Sequence, residues 1–404
     1  MIDLGGVCAL TLARRYGTPL FVYSAAVARD RLEALRRAFT RREPLVCYAL
    51  KANPNRALGR VLARAGAGAD IVSGGELARA ARAGFAPSKI VFSGVGKTEN
   101  EMAAGLRAGL LAFNVESVEE LEALARTAKR LKLRAPVCVR LNPDVDPRTH
   151  PHLTTGRARN KFGLETAAAL ALYRKASRDA HLRVVGIQCH IGSQITTLDP
   201  YRLAAASVAR TIRRLEEEGI RLSFADLGGG IGIAYKDEKP FALASMARVL
   251  EDAFAPWPQM RLLLEPGRYL VADAGILLTR VLYRKKTSMR RFLIVDGAMT
   301  DLPRPALYGA WHPVEAVTPR RGRKITVDVV GPVCESGDFL ALGRSLPPME
   351  RGDILAVGKA GAYGFAMSSQ YNSRPRAAEV LVDGRRVLLA RRRERIKDLY
   401  AAET

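Results

Sequence analysis

Lys51 stands in Tyr48-Ala49-Leu50-Lys51-Ala52-Asn53-Pro54-Asn55, directly after an apolar strand-like run, so its amine is expected at the mouth of a buried sheet. A lysine held there loses solvation, its pKa falls, and the neutral amine can form a Schiff base with an aldehyde. That is what pyridoxal phosphate asks of a protein. A surface lysine that merely follows a strand is the competing reading, and this octapeptide alone leaves both open.

Other segments hold residues suited to the same cofactor. Asp226-Leu227-Gly228-Gly229-Gly230-Ile231-Gly232-Ile233 is a strand followed by glycines, whose backbone N–H groups can close round a phosphate. It is not a dinucleotide fingerprint, because G-x-G-x-x-G begun at Gly228 needs glycine where Ile233 stands. His190 ends a strand and leads into Ile191-Gly192-Ser193-Gln194; its flat ring can stack on a pyridine, and Ser193 can reach a phosphate or ring oxygen. Glu265-Pro266-Gly267-Arg268 places a carboxylate that can face a pyridine nitrogen beside a guanidinium that can fork onto a substrate carboxylate. A plain surface ion pair is the alternative there.

Two look-alikes point elsewhere. Ser93-Gly94-Val95-Gly96-Lys97-Thr98 imitates the end of a P-loop, but the first glycine of that motif would have to be Val91. Thr98 with Glu101 reads better as a helix capping box. His150-Pro151-His152 has no third ligand at matching spacing, so no metal is expected.

Short apolar runs at 45–50, 69–72, 90–92, 110–115, 137–141, 184–190, 223–227 and 262–265 alternate with helical stretches, one of them opened by the capping-box spacing Ser117-Val118-Glu119-Glu120. This is the pattern of an α/β chain closing a (β/α)8 barrel, with an open doubly wound sheet as the alternative. Lys51, Ser73, Gly94, Asn114, Asn142, His190, Gly228, Gly229, Gly230 and Glu265 all fall at or just past the ends of these runs. In a barrel those ends share the rim where sites are built. After about residue 273 the runs 276–283, 292–295, 325–330, 354–357, 378–382 and 387–389 lack regular helices between them and predict a C-terminal antiparallel β-sandwich or small β-barrel. The expected domains are therefore 27–273 and 274–404, with residues 1–26 packing on the latter.

The chain has 404 residues, enough for two cores, and no apolar run long enough to span a membrane. Met1-Ile2-Asp3-Leu4-Gly5-Gly6 lacks the features of a signal peptide, so a cytoplasmic protein is expected. The five cysteines include no C-x-x-C pair, which argues against a disulfide framework or a zinc cage. A net charge of +24 raises the question of nucleic acid, but the arginines are scattered doublets and one triplet along the whole chain, not a basic arm, and nucleic acid is not expected as a partner.

Taken in order, these blocks resemble the diaminopimelate decarboxylase family, within the alanine-racemase-like barrels that bind pyridoxal 5'-phosphate and include the ornithine and arginine decarboxylases. The resemblance continues through Arg304-Pro305-Ala306-Leu307-Tyr308-Gly309, Gly331-Pro332-Val333-Cys334-Glu335-Ser336-Gly337-Asp338, Gly361-Ala362-Tyr363-Gly364 and Met367-Ser368-Ser369-Gln370-Tyr371-Asn372-Ser373-Arg374-Pro375-Arg376. It implies that Lys51 binds the cofactor covalently, His190 stacks on its ring and Glu265 holds its pyridine nitrogen. The Gly228–Gly230 and Glu265–Arg268 backbones would cradle its phosphate. Arg268, Arg304 and Tyr308 would grip the substrate's distal carboxylate, Glu335 its distal ammonium, and Tyr363 both cofactor and substrate. Cys334 resembles the family's proton donor; with Glu335 it would enter the partner subunit's site, making a homodimer with shared active sites.

The implied reaction is decarboxylation of meso-2,6-diaminopimelate at its D-centre to L-lysine, the last step of lysine biosynthesis. The alternatives are a same-fold decarboxylase of a related basic or carrier-tethered amino acid, a non-catalytic carrier of the cofactor, and a basic nucleic-acid-binding protein. One departure is Asn160, which stands where the family carries serine.

Overall fold

The computed structural model describes residues 6–146 and 161–404; His150, His152 and Asn160 lie outside them. The chain divides into two compact units, one made of Arg31–Ala234 with Glu238–Tyr269, the other of Met1–Asp30, Tyr235–Asp237 and Leu270–Thr404. Numbered along the chain, β1 (Leu20–Ser24) belongs to the second unit. The first unit holds β2 (Leu45–Ala49), β3 (Gly68–Ile71), β4 (Ile90–Phe92), β5 (Ala112–Val115), β6 (Ala135–Leu141), β7 (Leu182–Cys189), β8 (Phe224–Asp226) and β9 (Arg261–Leu264).

Among the described residues these eight strands close a barrel in sequence order, every pairing parallel, with β9 returning to β2. Each corresponds to one of the expected runs. Parallel closure leaves both faces of every strand covered, so the strands read as continuous apolar runs without alternation. Leu45, Cys47, Val91, Ala112, Cys138, Val185, Phe224 and Leu263 fill the interior. Gly186 makes room for one of them: a Cβ there would lie 2.3 Å from the Phe224 ring.

The intervening helices start where side chains satisfy their first N–H groups. Asn55 accepts from Ala57 and Leu58, Ser73 from Glu76, and Thr98 with Glu101 makes the full capping box. Ser117 makes only half of its box. It accepts from the Glu120 N–H, but the Glu120 carboxylate turns to the Glu116 N–H and to buried Lys97. Lys97 also donates to the carbonyls of Gly94 and Asn114, so the P-loop look-alike is a structural knot.

Among its described residues the second unit holds a nine-stranded sheet built from β1, β10 (Gly275–Lys286), β11 (Arg291–Val295), β12 (Val314–Ala316), β13 (Ile325–Val330), β14 (Phe339–Leu346), β15 (Ile354–Val357), β16 (Ala378–Asp383) and β17 (Arg386–Arg391). The sheet is mostly antiparallel but mixed: β1 runs parallel to β16, and β11 parallel to β13. That refines the antiparallel domain expected from the sequence. β1 is buried along its whole length because it lies between β10 and β16. Leu12, Leu20, Val22, Leu278, Ile354 and Val380 form the core on this sheet. No helix among the described residues is long and apolar enough to cross a membrane.

Candidate active site

Every strand of the barrel points the same way, so its C-terminal ends form one rim. Lys51 sits in the single 3-10 turn Leu50–Ala52 that follows β2. The rest of its motif holds that turn in shape: Tyr48 donates to the Asn53 carbonyl, and the Asn53 side chain accepts from the Asn55 N–H. Lys51 is not a desolvated lone amine, since its side chain is 39% exposed and Nζ lies 2.7 Å from Oδ2 of fully buried Asp70. The Ala49–Asp70 register between β2 and β3 delivers that carboxylate.

Glu265 follows β9 on the same rim and is buried. Gln188 Nε2 donates to its Oε2 at 3.0 Å and Asn114 Nδ2 to its Oε1 at 3.4 Å. Burial, then the negative charges of Asp226 and Asp70, push the Glu265 carboxyl well above its ordinary range. Burial raises the Asp226 carboxyl as well, so the two neighbouring carboxyls disfavour being ionised together. Oδ1 of Asp70, Oδ2 of Asp226 and the amide oxygens of Asn114 and Gln188 are buried with no hydrogen-bond donor. Each is a costly vacancy in a finished core and an ordinary feature of a binding site.

His190 follows β7. Burial, then the cations Arg140 and Lys51, hold its imidazole well below its ordinary pKa, so the ring is neutral. Its Nδ1 accepts from the Gly229 N–H at 3.1 Å. A Cβ at Gly229 would lie 2.2 Å from the Glu265 carbonyl oxygen. Glycine there lets the ends of β8 and β9 pack backbone to backbone, a demand that the sequence motif does not reveal. The Gly228 N–H donates to Asp226, so two of the three glycine amides are engaged within the rim. Pro266 accepts from the Ala49 N–H, which ties the Glu265-Pro266-Gly267-Arg268 turn to the Lys51 segment. Buried Arg268 donates to Ser193 Oγ at 3.1 Å. Lys51, His190, Ser193, Gly228–Gly230, Glu265, Pro266, Gly267 and Arg268 are thus brought together on one rim.

The remaining candidates belong to the second unit. Arg304 begins and Tyr308 ends a short helix, Arg304–Tyr308, closed by Gly309 in the left-handed region. Cys334 and Glu335 are exposed on the turn between β13 and β14. The tail motif organises that turn: the Cys334 N–H donates to Asn372 Oδ1 at 3.0 Å, and Tyr371 OH donates to Glu335 at 2.8 Å. Asp338 closes it from the other side, accepting from the Val333 and Met299 N–H groups. Tyr363 adopts φ 58°, a conformation that costs a bulky side chain energy and marks functional segments. Cys47, Cys138 and Cys189 are buried, and burial raises all three thiols, which suits core residues and not nucleophiles.

Comparison with known proteins matches residues 26–272 to the pyridoxal-dependent decarboxylase family, pyridoxal binding domain. A diaminopimelate decarboxylase of Pseudomonas aeruginosa is 50% identical over 399 residues, covering 99% of this chain and 96% of the relative. One from Aquifex aeolicus is 47% identical over 390 residues, covering 96% and 92%. Among solved structures, diaminopimelate decarboxylase from Helicobacter pylori complexed with L-lysine superposes with a TM-score of 0.94 at 41% identity, covering 98% of each chain. The rim residues fit the cofactor that this family uses. A lysine stands at the mouth, a buried carboxyl with raised proton affinity suits a ring nitrogen, and buried oxygens without donors lie on the same strands.

Proposed function

The chain belongs to the diaminopimelate decarboxylase family of the pyridoxal-dependent decarboxylases, and on that premise we propose how its residues carry the reaction. The substrate is meso-2,6-diaminopimelate, which loses CO2 at its D-centre and leaves as L-lysine in the last step of lysine biosynthesis. Pyridoxal 5'-phosphate is the cofactor; when bound, it supplies a sink for the electron pair released as the carboxylate leaves Cα. The observation that carries the assignment of roles is the convergence of Lys51, His190, Glu265 and Arg268 on one barrel rim.

Lys51 is the residue that holds the cofactor covalently, with Asp70 fixing its Nζ. Glu265, whose carboxyl is pushed up by burial, is matched to the pyridine nitrogen. Neutral His190 stacks on the ring. Ser193 and the Gly228–Gly230 and Glu265–Arg268 backbones hold the phosphate, with Gly230 and the Pro266-Gly267-Arg268 turn taking the larger share because the Gly228 and Gly229 amides have partners.

Arg268, Arg304 and Tyr308 bind the distal carboxylate, Glu335 the distal ammonium, and Tyr363 touches cofactor and substrate. Cys334 returns the proton to Cα. Cys334 and Glu335 serve the partner subunit's site, so the enzyme is a homodimer.

Selectivity rests at the far end of the substrate. Lysine or ornithine offers only an ammonium there and leaves buried cationic groups without an anion, which disfavours binding. Arg304→Ala is expected to lower kcat/KM for meso-diaminopimelate by roughly a thousandfold or more. Unchanged kinetics would remove Arg304 from carboxylate recognition.

A further inference from the structure

Arg304 is only 5% exposed, and its guanidinium is held by contacts within the second unit. Nη1 donates to two acceptors, Tyr235 OH at 3.0 Å and His312 Nε2 at 2.9 Å. The Tyr235 ring also lies under the guanidinium, with Cζ 4.8 Å from the centroid. Both acceptors are uncharged. They help to fix the plane of the cation.

The protonation state of His312 follows from partners that each work in one direction. A guanidinium can only donate, so Nε2 must offer its lone pair. The other ring nitrogen, Nδ1, lies 2.9 Å from the Gly358 carbonyl, which can only accept, so Nδ1 carries the hydrogen. A second proton would set an N–H against the Arg304 N–H. His312 is fully buried and therefore a fixed neutral acceptor, not a proton shuttle.

The sheet anchors this chain of contacts. Gly358 directly follows β15, and its N–H donates to the Pro313 carbonyl at 2.8 Å, continuing the Val314–Val357 register of β12 on β15. A Cβ at residue 358 would lie 2.8 Å from Pro313 Cγ, so the close approach requires glycine. Tyr235 meets the His312 ring edge-on, with centroids 5.4 Å apart. Backbone, imidazole and guanidinium form one rigid series in which each member has a single arrangement.

We propose that His312, supported by Tyr235, is the positioning residue that orients Arg304 and thereby sets the enzyme's preference for a substrate with a distal carboxylate. This rests on the reading that Arg304 binds that carboxylate. With Nη1 held by two acceptors the planar guanidinium is restrained from swinging about Cδ–Nε, which fixes the direction in which it faces a planar anion. Loss of the imidazole acceptor loosens that restraint, and the cost falls on the substrate that uses the cation.

The test compares His312→Gln with His312→Asn, two amides of similar polarity. Glutamine can place an acceptor where Nε2 was; asparagine overlays Nδ1, keeps a donor for Gly358 and falls short of Arg304. Each variant, loaded with cofactor and checked for melting temperature, is assayed on meso-diaminopimelate and on D-lysine, which lacks the distal carboxylate. The ratio of the two kcat/KM values is expected to fall roughly tenfold or more in His312→Asn, mainly through KM for meso-diaminopimelate, and to recover in His312→Gln. Tyr235→Phe, which removes only the other acceptor, is expected to lower the same ratio and serves as the second arm if the His312 variants fail to fold. Arg304→Ala is the reference. If it collapses the ratio while His312→Asn and Tyr235→Phe leave it at the wild-type value, the positioning role is wrong. If Arg304→Ala itself leaves the ratio unchanged, the carboxylate reading fails first and the inference falls with it.

Discussion

Glu76, whose Oε2 accepts from the Val72 N–H, shows how burial tunes single groups near the rim: its carboxyl is pushed up from 4.5 to about 7, first by desolvation and also by the charge of Asp70. Below about pH 4.5 the group is protonated both folded and unfolded, so its contribution to stability is fully present there. As pH rises towards 7 the unfolded chain gives up the proton first, and the contribution is lost. Glu76→Gln is therefore expected to gain about 1–3 kcal/mol relative to wild type between pH 4.5 and 8, read from urea unfolding at several pH values. Identical pH profiles would show that the carboxyl titrates normally. The same distinction governs what the sequence disclosed about the site. Lys51, His190 and Glu265 were legible because titratable types ended apolar runs. Asp70 and Gln188 gave a fainter signal, polar residues inside such runs, and their significance depends on partners on other strands. His312 and Tyr235 carried no pattern, because only the fold brings them to Arg304.

At the level of elements, the barrel was readable strand by strand because parallel strands buried on both faces leave compact apolar runs between capped helices. The C-terminal sheet was less so. Val314–Ala316 is too short to make a pattern, and Phe339–Leu346 is interrupted by Gly343 at φ 62°. Parallel pairing of β1 with β16 joins segments more than 350 positions apart, which periodicity cannot detect. The glycine cluster stood out in the sequence as a phosphate cradle; the structure adds a separate demand for glycine in strand-end packing. Gly229→Ala would force a Cβ against the Glu265 carbonyl, 2.2 Å away, and move the end of β9. It is expected to cost about 1–3 kcal/mol of stability and to weaken cofactor retention on gel filtration. Full retention with an unchanged unfolding midpoint would mean that this contact is not needed. Asn55→Ala, which removes the cap of Arg56–Arg64, is expected to cost about 1 kcal/mol, measured in the same way.

For the whole molecule, the proposal that Cys334 and Glu335 act across a homodimer makes a prediction independent of any single-site assay. Lys51→Ala and Cys334→Ala homodimers should each be nearly inactive; after mild dissociation and mixing, heterodimers regain one intact site and activity rises well above either parent. No recovery, with exchange verified by native mass spectrometry, would place both residues in their own subunit's site. Several surface arginines are paired with carboxylates, as in Arg29–Asp383, Arg174–Glu218 and Arg392–Asp398. All of the proposed chemistry converges on one nitrogen, Nζ of Lys51. Borohydride reduction of cofactor-saturated protein followed by peptide mass spectrometry tests it most directly: the account predicts a pyridoxyl addition on the peptide containing Lys51 and none in Lys51→Ala. A reduced, cofactor-saturated protein with no adduct at that position, or with the adduct on another lysine, would contradict it.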